Sequence, residues 1–227
     1  CQGTFRLARA AAEAGVRRLI FLSPAGVMGD NLSGASPLTV ADAPAPRQDY
    51  AISKWEAEQG LIGLSHQLGI EVVIIRPPLV YGPGAPANFH RLLRVVDLGT
   101  PLPLGLVQAK RSFVGITNLT EMAWACLQSS KGNGQTFLVS DGEDLSTADL
   151  IRRIAHYMGK RAILLPVPLW TLRLGGKLFG RTADVDRLLS PLRVAIDHTK
   201  ETLGWSPGTS VDQEIKNCVK AFASERI

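Results

Sequence analysis

The chain contains no apolar run near the roughly 20 residues that a membrane-crossing helix needs, and no signal-peptide pattern. Cysteine is scarce. Cys1, Cys126 and Cys218 are odd in number and far apart, which excludes a disulfide framework and a thiolate metal cluster. His66, His90, His156 and His198 are equally dispersed and no pair has zinc-ligand spacing, so no metal site is expected. Aromatic residues make up only 6%, which leaves core filling to aliphatic side chains. Charged residues are 20%, and the basic ones come as isolated doublets (Arg17-Arg18, Arg152-Arg153, Lys160-Arg161) rather than a run. A net charge of +5 in that arrangement does not indicate nucleic-acid binding. It suits an anionic small molecule such as a nucleotide or sugar diphosphate. These absences describe a globular chain of a reducing cytoplasm, with neither a membrane nor a nucleic acid as partner.

What is present is a 227-residue chain, 45% hydrophobic, long enough for one large domain or two small ones. It opens at Cys1 inside an alanine-rich helical pattern, Gln2 to Ala14, so an N-terminal portion is expected to be missing. Arg18 to Ser23 reads as a buried strand, Pro24 to Arg47 as a long Gly/Pro/Ser/Asp-rich loop, and Glu71 to Arg76 as a second buried strand. The intervening helix runs from near Tyr50 to Leu68, with Gly69 ending it. Strand, crossover helix, strand predicts a parallel sheet whose carboxyl ends hold the ligand site. Further on, helices are expected at Asn88–Leu98, Asn118–Leu127, Thr147–Met158, Leu169–Phe179, Thr199–Leu203 and Val211–Phe222, and strands at Lys110–Val114 and Gln135–Ser140. The apolar helix with Trp170, Leu172, Leu174 and Phe179 is too short to span a bilayer and is expected to be a core or domain-packing helix, the alternative being a membrane or partner surface.

Tyr50 and Lys54 carry the chemistry. A spacing of four puts them on one helix face, one turn apart. A cation beside a phenol stabilises the phenolate and lowers its pKa from about 10. Such a tyrosine can take a proton from an alcohol or return one to a ketone near neutral pH. The plainer alternative is a solvated helix start with an exposed lysine.

The order and spacing of Arg18–Ser23, Val27-Met28-Gly29, Tyr50-x-x-x-Lys54, Arg76-Pro77-Pro78-Leu79-Val80-Tyr81-Gly82-Pro83-Gly84 and Arg111-Ser112-Phe113-Val114 resemble the extended short-chain dehydrogenase/reductase family, the NAD-dependent epimerase/dehydratase group. The resemblance runs the length of the chain and is nearest to bacterial UDP-sugar 4-epimerases and 4-ketoreductases of surface-polysaccharide synthesis. It implies an α/β fold: a partial Rossmann-like parallel sheet flanked by helices, plus a smaller mixed α/β substrate-binding region. Residues 1–80 would be the later portion of the dinucleotide-binding domain and 81–227 mainly the substrate region, with about 112–140 returning to the sheet. The implied cofactor is NAD or NADP and the implied partner a nucleotide-diphosphate sugar. Tyr50 would be the acid/base and Lys54 would hold the nicotinamide ribose. Pro77 and Val80 would face the nicotinamide, and Asn88, Arg111 and Arg187 would meet the substrate. A guanidinium fork suits phosphate oxygens on its own account. A homodimer through the helices containing Tyr50 and Gln2–Ala14 is also implied.

Two departures from the family pattern stand out. No glycine-rich phosphate loop, G-x-x-G-x-x-G after a first strand, occurs in the chain, nor the residue that would choose NAD over NADP. By the resemblance roughly the first third of the fold is absent, and with it the backbone amides that cradle a pyrophosphate. Weak or no dinucleotide binding is therefore expected of these residues alone. Second, Pro24 stands where the family has a serine or threonine; proline offers neither hydroxyl nor N–H. Ser23, one residue earlier, is the candidate substitute. Pro24 also keeps a second reading open, a non-catalytic scaffold or sensor. Ala25 and Gly26 occupy the places of the acidic pair of dehydratases, which argues against dehydration.

Overall fold

The computed structural model describes residues 1–29, 36–84 and 88–225. The chain begins with α1 (Gln2–Glu13), β1 (Arg18–Leu22), a 3-10 turn (Ala25–Met28), α2 (Asp49–Leu68) and β2 (Glu71–Arg76). β3 (Leu79–Tyr81), α3 (Asn88–Asp97), β4 (Lys110–Arg111), β5 (Phe113–Gly115) and α4 (Ile116–Gln128) follow. Then come β6 (Thr136–Leu138), β7 (Leu145–Ser146), α5 (Thr147–Tyr157), α6 (Leu169–Leu178), α7 (Thr182–Leu189), α8 (Asp197–Leu203) and α9 (Val211–Ser224).

The strands β1, β2 and β6 form a parallel sheet in that order, with Leu22 opposite Ile75 and Arg76 opposite Leu138. Val72 to Ile75 of β2 are all apolar, as suits a strand covered on both faces. Val72 and Ile74 pack with Ala8 of α1 and Leu61 of α2, while Val73 and Ile75 pack with Leu119, Met122 and Cys126 of α4. The α/β architecture is thus the expected one, a parallel sheet between helices. A second core, built from Tyr81, Phe89, Leu93, Phe113, Ile151, Ile154, Ile215 and Phe222, lies among β3, β5, α3, α5 and α9.

Between the two cores sits a buried polar knot. Asp141 accepts hydrogen bonds from Tyr81 Oη (2.8 Å), Asn118 Nδ2 (2.7 Å) and the Gly115 amide (2.9 Å). Burial pushes the Asp141 carboxyl up. Burial and then the charge of Asp141 push the Tyr81 phenol far above its ordinary value. Tyr81 therefore stays a donor, and β3 is tied to the start of α4.

Two expectations need correction. The strand expected over Lys110–Val114 is broken at Ser112, whose amide donates to Leu192 O at 2.8 Å and whose hydroxyl donates to Asp144 Oδ1 at 2.5 Å. That break lets β4 pair antiparallel with β7 while β5 pairs parallel with β3. Helix α7 has no apolar stripe long enough to set its bounds in the sequence, although Arg187 does lie on a helix surface, which is its plainer reading there. Lastly, α6 is no core helix: Trp170, Leu174, Leu178 and Phe179 are exposed. Its packed side is the opposite one, where Gly176 is buried and an added Cβ would lie 2.9 Å from Val185 Cγ2 of α7.

Candidate active site

α2 starts at Asp49, which places Tyr50 in its first turn with 63% of its surface exposed. One turn on, Lys54 Nζ donates to Leu22 O, the last carbonyl of β1, at 3.1 Å. The ammonium lies 4.6 Å from the Phe21 ring centroid and 6.0 Å from that of Tyr50. Phenol ring and ammonium therefore share one side of α2, with the ammonium at the carboxyl end of β1.

That end is laced shut beneath them. The Ser23 amide continues the ladder to Ile75 O at 2.8 Å, and the Ala25 amide donates to Pro77 O at 2.8 Å. Ser23 is 1% exposed, and its hydroxyl finds no hydrogen-bond partner among the described residues. Pro24 turns the chain into the 3-10 turn that follows. Gly29 ends this turn at φ +82°, with the Ala45 carbonyl oxygen 2.6 Å from where a Cβ would stand. Only glycine fits that combination.

An ion pair that motif reading missed holds α2 in place. Arg76, at the end of β2, reaches Glu58 with two guanidinium nitrogens (Nε to Oε1 3.1 Å, Nη2 to Oε2 2.5 Å). Its Nη1 meets Met28 Sδ at 2.8 Å, and its guanidinium lies 5.5 Å from a Trp55 ring centroid. Both charged groups are buried. The sequence did hold a signal: Tyr50, Lys54 and Glu58 recur every four residues on one stripe, and a buried strand ending in arginine needs a carboxylate nearby.

The substrate candidates lie further out. Arg111, at the end of β4, donates from Nη1 to Arg187 O (2.6 Å), in the last turn of α7, and to Ser190 O (2.7 Å) just beyond it. A cation at that end also complements the helix dipole. A phosphate reaching Arg111 would share or displace these carbonyls. Arg187 is exposed, and its Nη2 donates to Gln48 Oε1 at 2.8 Å, two residues before Tyr50. α7 thus bridges β4 and the start of α2. Val80 is half-buried in β3, opposite Val114, and Pro77 is buried. Asn88 is the first residue of α3, and its side chain lies outside the described residues. Tyr50, Lys54, Ser23 and Pro77 converge at the strand ends; Arg187 approaches them through Gln48, and Arg111 stands behind α7.

A parallel sheet flanked by helices, with a tyrosine–lysine stripe beside its carboxyl edge, is the architecture of a Rossmann-like α/β protein. The chain belongs to the NAD dependent epimerase/dehydratase family, whose profile matches residues 1–140. It is 47% identical over 221 residues to a UDP-glucose 4-epimerase of Vibrio cholerae, covering 97% of this chain. The chain spans 67% of that relative's length, and 57% and 54% of two more distant ones. Its fold is shared with a UDP-glucose 4-epimerase of Thermotoga maritima solved with UDP-glucose (TM-score 0.80, 21% identity, 99% of this chain and 69% of that one). It is also shared with a UDP-glucuronic acid 4-epimerase of Bacillus cereus solved with NAD (TM-score 0.80, 20% identity, 99% and 67%). The family is one of NAD-dependent enzymes. Among the described residues no helix is long and apolar enough to cross a membrane.

Proposed function

We propose that the complete protein is an NAD(P)-dependent epimerase or 4-ketoreductase acting at C4 of a nucleotide-diphosphate sugar. One observation carries this reading: the Lys54 ammonium spans from the Tyr50 ring to the last carbonyl of β1, so the pair lies beside the edge where α/β sheets bind ligands. The fit to a dinucleotide is partial within these residues. Tyr50 and Lys54 suit the nicotinamide ribose, with Pro77 and Val80 on the strand ends behind them, whereas no glycine-rich loop is present to hold the pyrophosphate.

When bound, the cofactor supplies the hydride acceptor and donor. Tyr50 Oη takes the hydroxyl proton as the sugar alcohol becomes a ketone, and returns it when the alcohol re-forms. Lys54 holds the ribose and keeps a positive charge beside the phenol. Arg187, beside Gln48, and Arg111 are the candidate contacts for the substrate diphosphate, with Asn88 at the start of α3. Ser23 can assist only if its enclosed hydroxyl is uncovered, so Tyr50 acts with little help in orienting the reacting oxygen. Residues up to about 80, with β6, are assigned to the cofactor side and most of the remainder to the substrate side. The protein is also inferred to work as a homodimer through α1 and α2, where Leu7 and Ile62 are exposed; sedimentation of the complete protein reads this as a doubled mass.

The complete gene product, assayed for NAD(H)-dependent turnover of UDP-sugars beside Tyr50→Phe, tests the proposal. Loss of the phenol proton is expected to lower kcat at least about a hundredfold. Equal turnover by the variant would remove Tyr50 from the chemistry, and no turnover by either protein would favour a non-catalytic scaffold. Pro24 and the sealed Ser23 hydroxyl favour that second reading.

A further inference from the structure

Phe179 and Leu178, at 82% and 75%, are the most exposed large apolar side chains among the described residues, and Trp170 and Leu174 on the same helix are 66% and 50% exposed. They are not scattered. At 100° per residue, Leu169, Trp170, Leu174 and Leu178 share the outer half of α6 with Arg173 and Lys177, while Thr171, Leu172, Gly175 and Gly176 face inward. On the inward face Gly176 lets α6 lie tight on α7.

Charge narrows the choice of occupant. From Leu169 to Arg181 there are three cations (Arg173, Lys177, Arg181) and no carboxylate. None of the three forms an ion pair with the described residues. Lysine is depleted from the dry centre of protein interfaces, yet here Lys177 shares the arc of Trp170 and Leu174. Leucine, tryptophan and phenylalanine interleaved with Arg and Lys is the composition of a helix lying in a bilayer surface, with ring and aliphatic groups at the headgroup–acyl boundary and cations on lipid phosphates. A ten-residue helix, about 15 Å long, can lie there but not cross.

We propose that α6 and the turn after it seat this protein on an anionic lipid bilayer. Trp170, Leu174, Leu178 and Phe179 enter the surface, and Arg173, Lys177 and Arg181 pair with headgroup phosphates. α7, on which α6 packs, also reaches Gln48 and Arg111, so the lipid-facing helix is one element away from the candidate substrate contacts. The proposal does not depend on the redox reading, since bilayer binding is measured without turnover.

The test is co-sedimentation of the full chain with vesicles of phosphatidylcholine alone and with added phosphatidylglycerol, at low and high salt. Binding is expected to the anionic vesicles, to fall with salt, and to be much weaker on phosphatidylcholine. Leu178→Glu with Phe179→Glu, and separately Arg173→Gln with Lys177→Gln, should each weaken binding at least about tenfold while circular dichroism is unchanged, because all four side chains are exposed. Failure to pellet with anionic vesicles would overturn the proposal, as would undiminished pelleting of both variants. Self-association that the Leu178/Phe179 variant abolishes, without vesicle binding, would assign the face to a second copy and equally overturn it.

Discussion

At the scale of single residues, two phenols of this chain are opposites. Tyr50 is open at a helix start, whereas Tyr81 is 1% exposed and donates to Asp141. Because the folded-state pKa of Tyr81 is raised, the folded chain keeps a proton that the unfolded chain loses above about pH 10. Stability from this group is therefore full below the unfolded pKa and falls as pH rises beyond it. In an alkaline titration followed at 295 nm, one of the three tyrosines should ionise only as the fold is lost, and Tyr81→Phe should remove that late step. A chain whose last phenol ionises before the circular dichroism changes would contradict this. Tyr50 and Lys54 were legible because their spacing is local. Asp141 was not, because its three donors come from Tyr81, Gly115 and Asn118, which only the fold brings together.

At the scale of elements, α2 carries the candidate chemistry and the Glu58–Arg76 pair sets its position. Breaking a buried pair leaves one charge uncompensated, so Glu58→Ala should cost about 3–5 kcal/mol in denaturant unfolding, far more than loss of a surface ion pair. A loss below about 1 kcal/mol would mean that the helix is held by packing alone. Most element types were legible from apolar periodicity and end signals. The strand Glu71–Arg76 has the expected bounds, α2 ends at Gly69 in the left-handed conformation, and Ser146 caps α5. The failures share a cause. The split at Ser112 depends on Leu192, Asp144 and Val194, and the exposure of α6 depends on α7 taking its glycine face. Partners distant in sequence decided both.

At the scale of the whole molecule, β1 has a strand neighbour on one side only, β2, among the described residues, and no glycine-rich loop occurs in the chain. Calorimetry of the 227-residue chain with NAD should therefore detect no micromolar binding, because the pyrophosphate lacks its amide cradle. A micromolar dissociation constant would show that Tyr50, Lys54 and the strand ends suffice. By itself the sequence determined the α/β class, the parallel crossover and the tyrosine–lysine stripe, since each follows from periodicity or spacing within a few turns of chain. Only the tertiary structure decided that Glu58 anchors this stripe, that Arg111 meets the end of α7, and that α6 turns its leucines and tryptophan outward. Those outcomes depend on which distant groups satisfy a buried charge, a row of carbonyls or a glycine-bearing face, and no local pattern encodes the partner.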